Sequence, residues 1–107
     1  DPLKKYKDRE ARERFRTEQI QGLRDRIAAL ERRLEYLRGK RLAVVNPLYL
    51  MPEPPPGETP DDDAGMKPQE LLARIEAKIA SAEAEIATTR KTLVVIETRF
   101  GHEANLR

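Results

Sequence analysis

From Leu72 to Phe100 the chain reads LARIEAKIASAEAEIATTRKTLVVIETRF. Steps of three and four through it land on Leu72, Ile75, Ile79, Ala82, Ile86, Thr89, Leu93, Ile96 and Phe100, and only Thr89 breaks the apolar run. A second run lies upstream: Ile20, Leu23, Ile27, Leu30, Leu34, Leu37, Arg41 and Val44. Apolar residues spaced alternately three and four apart keep one seam facing a partner helix, which is what a coiled coil demands. Two such helices in one short chain predict an all-α, antiparallel two-helix coiled-coil hairpin.

The register follows from the spacing. With Val44 beside Leu72, Leu37 faces Ile79, Leu34 faces Ala82, Leu30 faces Ile86, Leu23 faces Leu93 and Ile20 faces Ile96. At about 1.5 Å per residue the two runs span ~36 and ~42 Å, long enough to pair along their lengths. Arg41 then falls opposite Ile75 as a polar interruption of the kind that sets register at a cost in stability.

Composition agrees with this architecture. The 107 residues are 37% charged and 38% hydrophobic, with five aromatics and no Cys or Trp. That balance suits long helices burying one stripe each and excludes a thick core. No Cys means no disulfide framework or thiolate metal site. It fits a reducing compartment, so a cytoplasmic, intracellular location is expected. No apolar run approaches the ~20 residues of a membrane span. Because it begins at Asp1, the chain is expected to be a fragment or a trimmed product.

The net charge of +2 conceals an asymmetry. Residues 1–46 hold 14 Lys/Arg against 8 Asp/Glu, a net of +6, and residues 47–107 hold 7 against 11, a net of −4. Such a gradient steers partners without dictating a fold.

The chain reads as one domain, 1–107, with its first helix over about 3–45. Pro2 suits a first turn. Opposite charges four apart support the exposed N-terminal stretch, among them Glu10 with Arg14, at ~0.2–0.5 kcal/mol each. Leu3, Tyr6 and Phe15 leave the heptad phase. Asn46-Pro47 stops the helix, because a residue before proline is biased away from helical geometry. A Pro-rich acidic connector follows over about 46–67, longer than the two to eight residues usual between helices. The second helix starts at Pro68 and runs to about residue 100, with Gly101 as its stop. Residues 101–107 form a tail.

Little here could carry catalysis. Ser81 is the only serine, His102 the only histidine, and no phosphate loop or metal-ligand cluster is present. The protein is expected not to be an enzyme and to need no cofactor or metal. Asp61, Asp62 and Asp63 lack the alternation of a Ca²⁺ loop and read as a solvated acidic run.

Binding is better provided for. A two-helix seam encloses no core, and a chain this small commonly gains stability by association. Ala73, Ala77, Ala80, Ala84, Ala87 and Val94 recur away from the seam. They mark a dimer or partner face, or else a solvent face filled with the best helix former. Leu48, Tyr49, Leu50 and Met51 either fold back over the open end of the hairpin or form a docking surface. The spacing from Pro52 to Pro55 suits a polyproline spacer or ligand. Lys4, Lys5, Arg9, Arg12 and Arg16 form a basic face that could follow a polyanion, although Asp8, Glu10, Glu13 and Glu18 interleave with it.

The leading expectation is a protein–protein interaction and oligomerisation module, a scaffold or tether that dimerises into a four-helix assembly. The alternatives are a nucleic-acid-binding arm using the basic first helix, and a protruding arm whose acidic tip docks into a partner.

Overall fold

A computed structural model describes residues 1–58 and 63–105, with side chains only through residue 101. The fold is a hairpin of two helices, α1 over Pro2–Val45 and α2 over Pro68–Asn105, with no strand among the described residues.

Both helix starts have local causes. Asp1 caps α1, its Oδ1 accepting a hydrogen bond from the Leu3 N–H at 3.0 Å, while Pro2 occupies the first helical position, where its missing N–H costs nothing. Pro68 opens α2 in the same way, with Glu70 in the first turn complementing the helix dipole. α1 ends before Asn46-Pro47, as the sequence predicts. α2 does not end at Gly101 but continues to Asn105, so five residues expected in the tail are helical. Glycine permits the left-handed conformation that terminates a helix without compelling it, and Gly101 has no positive φ. The expected loose tail histidine, His102, lies within this last turn, and its side chain is outside the described residues.

The chain packs as two compact units, residues 1–27 with 88–107, and residues 28–87. In unit 2, Leu30, Leu34 and Leu37 of α1 bury against Ile75, Ile79, Ala82 and Ile86 of α2, with Tyr36, Val44 and Leu71 packed around them. Leu37 and Ile75 are the most enclosed, at 1% and 2% exposure. Leu72 is half-buried, and Arg38 and Glu83 approach to 3.8 Å across the pair.

In unit 1, Ile20, Leu23, Ile27, Leu93, Ile96 and Phe100 are each half-buried. Arg24 of α1 binds Glu97 of α2 at 3.0 Å. None of the fifteen apolar seam residues is exposed in either unit. Leu3, Tyr6 and Phe15, out of phase in the sequence, lie on helix and point into solvent.

Truncation should therefore cost unequal amounts along the seam. Leu37→Ala, at a fully enclosed site, should lose about 3–4 kcal/mol of stability in urea unfolding. Leu3→Ala, on the exposed stretch, should change it by less than about 0.5 kcal/mol.

Candidate interaction surfaces

The connector leaves α1 through an ordered turn. The Asn46 N–H donates to the Leu42 carbonyl at 2.9 Å, its Oδ1 accepts from the Leu48 N–H at 3.0 Å, and its carbonyl accepts from the Tyr49 N–H at 3.1 Å. This side-chain-assisted turn is the usual role of asparagine before proline. Its consequence is display. Leu48 and Leu50 stand 90% and 93% exposed, and Leu42, Val45, Tyr49 and Met51 are exposed beside them in sequence. The apolar run does not fold back over the hairpin, because the Asn46 turn fixes the backbone in another direction.

Past Met51 the connector packs along α1. Pro52 seats on Gly39, so close that a Cβ at position 39 would come within 3.2 Å of the proline Cγ. Gly39 thus makes room for the connector, a reason for glycine that helix propensity alone would not suggest. Pro55 and Pro56 join Pro52, Tyr36 and Arg32 around an open groove of about 420 Å³. A β-turn closed by the Glu58 N–H to the Pro55 carbonyl at 3.1 Å places Gly57 at φ 86°. A second, closed by the Met66 N–H to the Asp63 carbonyl at 3.2 Å, places Gly65 at φ 79°. Both turns need a residue that tolerates positive φ.

Three carboxylate contacts fasten this strap. Glu58 binds Arg33 at 3.1 Å. Asp63 forms an ion pair with Lys40 of α1, and its other oxygen lies 3.9 Å from Arg74 of α2. One connector carboxylate therefore bridges both helices. Lys40 is 4% exposed, and its ammonium also lies 5.9 Å from the centre of the Tyr36 ring. The buried cation of unit 2 is thus Lys40 rather than Arg41, which is only half-buried. Lys40 falls beside the seam, and it is the returning connector that covers it.

The remaining sequence candidates stay at the surface. Ala73, Ala77, Ala80, Ala84 and Ala87 are all exposed on α2, and so is Val94. Lys4, Lys5, Arg9 and Arg12 are exposed and Arg16 is half-buried, with Glu10 near Arg14 at 3.9 Å on the same stretch. Asp61 and Asp62 lie outside the described residues. Among the described residues no group of three metal-ligating side chains gathers, and no helix is long and apolar enough to cross a membrane.

Periodicity could not reveal the Lys40–Asp63–Arg74 bridge. The one available signal was the pair of glycines, 57 and 65, bracketing the acidic run at turn spacing.

Comparison with protein-family models, with curated proteins and with solved structures finds no match to this chain.

Asp63→Ala should remove one carboxylate that faces the buried Lys40 and cost about 1–3 kcal/mol in chemical denaturation. The double variant Asp63→Leu with Lys40→Met should recover most of that loss. An unchanged denaturation midpoint in Asp63→Ala would show that the strap contributes nothing to stability.

Proposed function

We propose that this chain is a non-enzymatic protein–protein interaction and oligomerisation module, an antiparallel coiled-coil hairpin that dimerises and so scaffolds or tethers other proteins. One observation carries the reading. Seven apolar side chains are buried, whereas eleven large ones remain exposed among the described residues. Burying a side chain of that kind is worth about 1.5–3 kcal/mol. A small two-helix unit that leaves this much gain unused has surfaces suited to a partner.

The face best shaped for a second copy is the alanine stripe of α2 in unit 2, Ala73 through Ala87. Small side chains let another helix approach closely, and α2 paired with α2 about a two-fold axis would form a four-helix assembly. The exposed Leu48–Met51 run and Leu42 offer further apolar surface in the same unit.

The two alternative readings have less to work with. Acidic residues interrupt the basic stretch of α1, so its local field along a phosphate backbone is weakened. Asp63, the described member of the acidic run, is engaged in holding α1 to α2.

The test is molar mass by light scattering over a concentration series. The chain should run as a dimer of about twice 12.3 kDa, and Ala80→Glu with Ala84→Glu should return it to a monomer with unchanged helix content. A wild-type chain that stays monomeric throughout would refute the dimer. A double variant that still dimerises would locate the interface elsewhere.

A further inference from the structure

Two grooves in unit 1 differ in charge. One, of about 350 Å³, is lined by Ile20 and Phe100 together with Arg24 and Glu97, whose ion pair neutralises it. The other, of about 620 Å³, is lined by apolar Val95, Ile96 and Phe100, polar Gln19 and Thr92, and the cations Lys91 and Arg99, with Arg16, which has a partner of its own, at its edge. Among the described residues no acidic side chain lines it. It joins an apolar strip to the positive charge of Lys91 and Arg99.

We propose that this second groove is a docking site for a partner helix whose apolar stripe is bordered by Asp and Glu. The proposal rests on reading the chain as an interaction module, but uses a surface distinct from the alanine stripe. The argument is one of charge complementarity. Val95 is half exposed, with Ile96 and Phe100 half-buried beside it, so an incoming helix has apolar surface to cover. Anchors at i, i+3, i+4 and i+7 are the standard means of filling a groove of this kind. Lys91 and Arg99 lie about 12 Å apart along α2, at 1.5 Å per residue. Carboxylates two turns apart on the partner would meet them both. Oppositely charged rims speed encounter and exclude wrongly charged partners.

Other anionic macromolecules fit less well. Single-stranded nucleic acid would use aromatic faces on which to stack, and the one aromatic ring in the groove, Phe100, is half-buried. A lipid surface calls for apolar groups projecting from a convex amphipathic face rather than lining a groove.

The probes are two labelled synthetic peptides with the same amphipathic leucine stripe, one bordered by Glu and the other by Lys. Each is titrated with the full chain and followed by fluorescence anisotropy. The Glu peptide should bind at least ~10-fold more tightly than the Lys peptide, and more weakly as salt rises. Lys91→Glu with Arg99→Glu should reverse that preference, and Val95→Asp should weaken the Glu peptide ~10-fold or more. Circular dichroism monitors folding, and the milder pair Lys91→Gln with Arg99→Gln should lower affinity with helix content intact.

Equal binding of the two peptides would overturn the proposal, as would a preference unaffected by charge reversal. So would equally tight binding of a Glu peptide lacking the leucines, or displacement by duplex DNA, since either would indicate a general anion site. The Ala80→Glu, Ala84→Glu variant separates this proposal from the dimer. It should bind the Glu peptide as the parent does, and a parent chain that binds the peptide while monomeric would uphold the groove and refute the dimer.

Discussion

Two helices in contact can share only one strip of surface, and everything else in this protein depends on that strip. Each apolar side chain at the seam is covered by neighbours on its own helix and by the facing helix, and its flanks are open unless something else lies over them. In unit 1 Ile20, Leu23, Ile27, Leu93, Ile96 and Phe100 all remain half-buried. In unit 2 the seven apolar residues of the core are buried.

Unit 2 also carries the connector along α1, held by a combination of shape and charge. Pro52 requires the space left at Gly39, and the two glycine turns bring Glu58 and Asp63 to cations on the helices. Burying an ammonium is costly, and a facing carboxylate offsets the cost only when geometry is good. Exchanging Lys40 and Asp63 for apolar groups would satisfy burial equally well, so the pair serves position as much as stability. The Asp63 carboxylate lies between Lys40 of α1 and Arg74 of α2, and this fixes how the connector returns.

The surfaces left over have distinct chemistry. Alanines form one face of α2 in unit 2, large apolar groups project from the Asn46 turn, and one groove in unit 1 combines apolar and cationic lining. None gathers the close set of nucleophile, base and oriented partner that catalysis uses. Their common property is apolar area left open to solvent.

Much of the fold was legible in the residues because its causes are local. A three-and-four spacing specifies one helix face wherever it occurs, Pro2 and Pro68 set starts, and Asn46-Pro47 sets a stop, each within a turn of the residues responsible. Gly101 shows where local reasoning fails, since a residue that allows a helix to end does not make it end. Whether Leu48–Met51 would fold inward or stand in solvent, and which cation would be buried, also escaped the pattern. The first turns on the side-chain bond of the Asn46 turn and the second on the contact of Lys40 with Asp63, 23 residues apart. The sequence by itself therefore determined the two helices and the faces they would share. Only the tertiary structure decided the path of the connector, the burial of Lys40 and the charge of each groove, because these come from residues brought together by folding rather than by periodicity.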